Sequence, residues 1–231
     1  MSMIKKAELN LEDMLKMSTY IKLDHVSKKF GDREVLHPLT VEFEKGKIHG
    51  IIGRNGSGKT VMMKLILGIL LPTQGEVIVN GKKIGKDVDF PADTGAIIEN
   101  VEFLSYLNAY QNLENLAAIH QKIGKKEIQE ILKIVGLENT GRKKVGKFSL
   151  GMRQRLAIAQ AIMESPQLII LDEPMNGLDK SGVEEMRRIF GKLRDEGTTM
   201  ILASHNMEDI SCLCDEIYEM DAGVLQKYNT V

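Results

Sequence analysis

Gly53-Arg54-Asn55-Gly56-Ser57-Gly58-Lys59-Thr60 matches G-x-x-x-x-G-K-[ST] in full. An apolar run at 47–53 leads into it, and helix formers run from Gly58 to Leu70, stopping before Pro72. Strand, glycine loop and helix therefore follow one another over 48–70, the context in which such a loop cradles phosphate. Its glycines let the backbone wrap an anion without Cβ clashes, and successive N–H groups and the helix N-terminus point at the phosphates. Lys59 reaches the outer phosphates, Thr60 offers a hydroxyl to Mg²⁺, and Val61 continues the first turn.

Outward from this loop, short apolar or alternating runs at 20–26, 39–43 and 75–84 read as strands. Asn80-Gly81 in the last of them predicts a type I′ hairpin. Residues 100–147 lack a convincing strand, and Ile128, Ile131, Leu132 and Val135 mark one helical face stopped by Gly136, so an inserted helical lobe is expected. A helix at 150–164, a strand at 167–172, a helix at 180–195 and a strand at 198–204 follow. In the second helix Val183, Met186, Ile189, Phe190 and Leu193 face inward. That alternation predicts an α/β fold with a mainly parallel sheet covered on both faces.

Composition narrows the function. The 231 residues suit one domain with an inserted lobe, and the 43% hydrophobic and 27% charged content argues against disorder or a fibrous chain. Lys and Arg total 31 against 32 acidic residues, so no global positive field draws the chain onto nucleic acid. Cys212 and Cys214 fit neither a disulfide framework nor zinc spacing, which points to a reducing, cytoplasmic setting. The apolar stretch Val61 to Leu71 is too short to span a bilayer, and residues 1–20 lack a signal-peptide centre; any membrane role is expected to run through a partner.

Further motifs choose among nucleotide enzymes. Leu168-Ile169-Ile170-Leu171-Asp172-Glu173 is an apolar strand ending in two carboxylates; Asp172 suits Mg²⁺ and Glu173 suits an attacking water. No Asn-Lys-x-Asp motif for reading guanine is present. Phe148-Ser149-Leu150-Gly151-Met152 places a serine N-cap and a glycine at the start of a helix, a second anion-seeking end.

With Gly177-Leu178-Asp179 and Ser204-His205, these motifs in order resemble the nucleotide-binding domain of ABC transporters over about residues 20–221. The resemblance implies a P-loop NTPase core with an N-terminal antiparallel β subdomain and an inserted α-helical subdomain. It divides the chain into an extension at 1–19 and an ATPase domain at 20–231, with the core at 20–99 and 148–231 and the helical subdomain at 100–147. It implies that Phe30 stacks on adenine and that Ser149, Leu150, Gly151 and Met152 serve the ATP of a second copy or paired subunit. Asp179 would line the seam between them, and His205 would hold the geometry of Glu173 and its water.

Two departures stand out. Phe-Ser-Leu-Gly-Met replaces the common Leu-Ser-Gly-Gly-Gln, so Leu150 narrows the approach to phosphate and Met152 cannot donate a hydrogen bond, which is expected to lower turnover while sparing binding. Glu99 stands where the family usually has a glutamine, replacing a neutral Mg²⁺ ligand by a charged one. The Glu99 version and the segment Phe103 to Leu113 resemble bacitracin- and lantibiotic-type export ATPases, which implies a separate permease holding the subunit at the inner face of the membrane. Arg142-Lys143-Lys144 and Lys147 read as a solvated loop. A soluble relative acting in iron–sulfur cluster assembly is the alternative, and a P-loop kinase a third class.

Overall fold

The computed structural model describes residues 18–99 and 101–228. In chain order these form β1 (Thr19–Phe30), β2 (Arg33–Glu44), β3 (Ile48–Ile52), α1 (Lys59–Ile66), β4 (Gln74–Val79), β5 (Lys82–Lys83) and β6 (Thr94–Ile97). There follow α2 (Ala109–His120), α3 (Lys125–Ile134), α4 (Leu150–Ile162), β7 (Leu168–Asp172), α5 (Lys180–Asp195), β8 (Thr199–Ala203), α6 (Met207–Leu213), β9 (Glu216–Asp221) and β10 (Val224–Lys227). The extension expected at 1–19 lies outside the described residues up to residue 17.

Two sheets result. The first is antiparallel, ordered β2-β1-β4-β5; the second is ordered β10-β9-β3-β8-β7-β6 and is parallel except for β10. Asn80 and Gly81, with φ of 47° and 73°, close the two-residue loop between Val79 and Lys82, the conformation a type I′ turn requires. The chain departs from the sequence reading in places. The strand expected at 39–43 is the end of the longer β2, and the first helix stops at Ile66, short of Leu70. β6, β9 and β10 had no clear signal.

The apolar run of β7 is explained by its place in the sheet. Ile169 and Leu171 join a core with α2 to α5, while Leu168 and Ile170 face a second core with α1 and the antiparallel sheet; β8 splits the same way. A strand buried on both faces needs no alternation. On α5 Met186 and Phe190 are fully buried, and Val183, Ile189 and Leu193 pack beside them. On α3 Ile128 and Leu132 are buried, and Gly136 follows with φ of 72°.

β6 is weakly apolar because it must pass close to α4. A Cβ at Gly95 would overlap the Ala161 carbonyl. Gly95→Val is therefore expected to destabilise the fold by about 2 kcal/mol or more, since backbone of β6 or α4 must shift, as a denaturant titration would record.

His49 on β3 is fully buried, its Nε2 paired with the Glu44 carbonyl at 3.0 Å and its Nδ1 3.7 Å from Glu216 Oε2. Burial lowers its pKa from the ordinary 6.5. A folded pKa below the unfolded one means that the unfolded chain binds the extra proton, so this stabilisation is complete above pH 6.5 and fades as pH falls below it. Below pH 6.5 the stability of the wild type should fall more steeply with falling pH than that of His49→Gln, by up to about 1.4 kcal/mol per pH unit. Parallel profiles would remove the assignment.

Candidate functional site

Four neighbouring parallel strands deliver their C-terminal ends to one edge. β3 runs into the loop 53–58, β8 into Ser204-His205, β7 into Asp172-Glu173 and β6 towards Glu99. Beyond the carboxyl ends of strands is where open α/β sheets place ligands. A cleft of about 750 Å³ opens there, lined by Phe30, Asn55, Gly56, Ser57, Gly58, Lys59, Thr60, Val61, Glu99, Asp172 and Glu173.

The loop holds its shape through its glycines. Gly53 has φ of 152°, and a Cβ there would overlap the Met220 carbonyl; Gly58 has φ of 116°, and a Cβ would lie 2.7 Å from Leu36 Cδ2. Lys59 folds back over this loop, donating to the carbonyls of Gly53 at 2.6 Å and Arg54 at 3.1 Å. Its ammonium is thereby fixed beside the N-terminus of α1, whose first N–H groups have no intrahelical acceptor.

At the mouth of β7, Thr60 Oγ1 donates to Asp172 Oδ2 at 2.6 Å. Hydroxyl and carboxylate are hard oxygen donors, and together they fit Mg²⁺, which takes one or two protein ligands and completes its shell with phosphate oxygens and water. Among the described residues no group of three or more His, Cys, Asp and Glu is arranged to cage a metal by itself. Glu173 next door adopts φ of 51°, a left-handed backbone that swings its side chain out of line with the strand, at a cost of about 1–2 kcal/mol. His205 meets it twice, through its backbone N–H to Oε1 at 3.0 Å and its Nδ1 to Oε2 at 2.8 Å. Glu99, with φ of 57°, pairs with Lys64 Nζ at 2.9 Å.

Phe30 is 47% exposed at the rim, with Lys28 Nζ 5.1 Å from its ring centroid, so ring surface remains open to a flat ligand. Arg33, Val35, Gln154 and Asn176 also line the cleft and escaped the sequence reading. Arg33 pairs directly with Phe30 across the first hairpin, and Gln154 donates to the Pro174 carbonyl at 2.8 Å.

Ser149, Gly151, Met152, Asp179 and His205 are not among the residues lining this cleft, although Leu150 reaches its edge. Ser149 N-caps α4 by accepting from the Met152 N–H at 3.2 Å, and Asp179 caps α5 by accepting from Gly182 at 2.9 Å. Lys143, exposed as expected of a solvated loop, brings its Nζ within 3.6 Å of Met152 Sδ and 5.7 Å of the Phe148 ring centroid.

The model of a family described as ABC transporter matches residues 36–176. The chain belongs to the ABC transporter family. As an ABC ATP-binding subunit it binds and hydrolyses ATP. It is 42% identical over 206 residues to the uncharacterised ABC transporter ATP-binding protein YybJ of Bacillus subtilis (strain 168), covering 89% of this chain and 94% of that one. It is 40% identical to the bacitracin transport ATP-binding protein BcrA of Enterococcus faecalis, covering 92% of this chain and 70% of the relative. It is 36% identical to the lantibiotic transport ATP-binding protein SrtF of Streptococcus pyogenes, covering 85% of each. Among solved structures, the dimeric bacterial ABC transporter cassette MJ0796 superposes with a TM-score of 0.79 at 27% identity, covering 91% of this ABC subunit and all of that chain. No helix among the described residues is long and apolar enough to cross a membrane.

Proposed function

We propose that this ABC subunit powers a separate membrane permease that exports a peptide antibiotic of the bacitracin or lantibiotic class. In this reading two copies, or one copy and a paired subunit, sandwich ATP between the loop 53–60 of one and the Ser149 helix end of the other. The observation that carries the ATP-driven part is the meeting, at one sheet edge, of the Lys59 cradle, the Thr60–Asp172 pair and the Glu173–His205 pair. The similarity to named bacitracin and lantibiotic transport proteins carries the cargo.

Each residue has a task within that reading. Phe30 stacks on adenine, and residues 53–61 hold the triphosphate with Lys59 against its outer charge. Thr60, Asp172 and Glu99 hold Mg²⁺, which neutralises charge on the phosphates when bound. Glu173 accepts a proton from the attacking water as the water oxygen bonds to the γ-phosphorus and the bond to the ADP oxygen breaks. His205 anchors both carboxylate oxygens of Glu173, so the base is aimed before the water arrives. Ser149, Gly151 and Met152 face the γ-phosphate of the partner's ATP, and Asp179 lies at the seam. The core at 20–99 and 148–231 and the helical lobe at 100–147 are the bodies that move. The permease keeps the subunit at the inner face of the membrane.

Co-expression with a candidate bacitracin- or lantibiotic-type permease tests the cargo. Bacitracin or lantibiotic tolerance should rise with the wild-type pair and stay at the baseline with Glu173→Gln; no rise with any peptide of these classes would reject the export reading. Phe30→Ala should weaken ATP binding about tenfold, the loss of one base–aromatic stack, in a titration with a fluorescent ATP analogue. An unchanged affinity would take Phe30 out of the site.

A further inference from the structure

We propose that Lys64 is a positioning residue that holds Glu99 in a resting place beside, and not within, the metal shell, so that metal loading competes with an ion pair. The inference rests on the reading of Glu99 as a metal ligand given above. Thr60 and Lys64 are four residues apart on α1 and so lie on one face, one turn from each other, about 6 Å along the axis. Thr60 spends its hydroxyl on Asp172, while Lys64 Nζ takes Glu99 Oε1 at 2.9 Å. The same helix face therefore presents one polar group to each carboxylate, and the two carboxylates are kept apart by the turn between them.

The backbone supports a poised arrangement. Glu99 has φ of 57°, a left-handed conformation that L side chains rarely adopt, two residues beyond the end of β6. Its side chain is 62% exposed and that of Lys64 is 25% exposed, so the carboxylate is free to swing while the ammonium is the more anchored member. A neutral glutamine at 99 would hold the ammonium less strongly, because the contact would lose the Coulomb attraction between opposite charges. The charged Glu99 thus gives the Lys64 contact its hold on the resting site.

The test is a Mn²⁺ titration by electron paramagnetic resonance in the presence of AMP-PNP, which reads metal affinity without turnover. Lys64→Met should tighten Mn²⁺ binding about threefold, the size expected for an exposed pair, and Lys64→Arg should restore wild-type affinity. In the Glu99→Ala background Lys64→Met should change nothing. A purely structural role for Lys64 would shift the melting temperature without this Glu99-dependent difference. Equal tightening in both backgrounds would make Lys64 a bulk charge and overturn the proposal. So would no effect of Lys64→Met where Glu99→Ala alone weakens Mn²⁺ binding. If Glu99→Ala leaves Mn²⁺ affinity unchanged, the metal reading of Glu99 fails, and the proposal falls with it.

Discussion

With Mg·ATP present, Glu173→Gln protein should run as a dimer on gel filtration and hydrolyse ATP at least about a thousandfold more slowly than the wild type. The amide matches the carboxylate in shape, and its oxygen can still accept the His205 N–H that now sits 3.0 Å from Oε1. What it lacks is a basic site for the proton of the attacking water. Hydrolysis stalls with ATP held, and two copies remain closed on it. Removing a negative charge beside each γ-phosphate also lowers repulsion in the closed state, which favours the dimer further. A variant that stayed monomeric and hydrolysed ATP at the wild-type rate would reject both the base and the sandwich.

Lys59→Ala should fail earlier in the cycle, with ATP affinity down more than about a hundredfold in a fluorescent-nucleotide titration. Charged hydrogen bonds are worth about 1.5–3 kcal/mol each, and the ammonium is asked to supply more than one of them. Lys59 is 94% buried and donates hydrogen bonds to the Gly53 and Arg54 carbonyls, so its removal also leaves two acceptors at the centre of the cradle without their donor. Lys59→Arg should not rescue binding, because a planar fork cannot occupy the place of a compact ammonium folded under a tight loop. Nucleotide retained by Lys59→Ala at wild-type affinity would displace the cradle from 53–60. The two variants separate holding the nucleotide from closing upon it.

The parts of this protein that were legible in advance are those written in contiguous residues. The loop 53–60 is its own turn, nest and helix start. Asp172-Glu173 terminates a run, Leu168 to Leu171, that has to be buried on both faces. The inward face of α5 shows as a helical period, and Ser149 caps the helix that follows it. Elsewhere the signal was weak for physical reasons. β6 reads Thr-Gly-Ala-Ile because Gly95 must leave room for the Ala161 carbonyl, which erases the β-branched pattern of a strand. β9 carries Glu216, Glu219 and Asp221 among its apolar residues near the sheet margin, where one side chain in two can reach water.

Sequence alone determined the groups available: a phosphate loop, a hydroxyl and carboxylate suited to Mg²⁺, a second carboxylate beside them and a second capped helix end. Tertiary structure decided which of these meet. The parallel register of β3, β8, β7 and β6 brings their carboxyl ends to one level, so that His205 reaches Glu173 from 32 residues away and Lys64 reaches Glu99 from 35. Hydrogen-bond geometry between strands, which no local pattern encodes, sets that level, and with it the meeting of Glu173 with His205 and of Glu99 with Lys64.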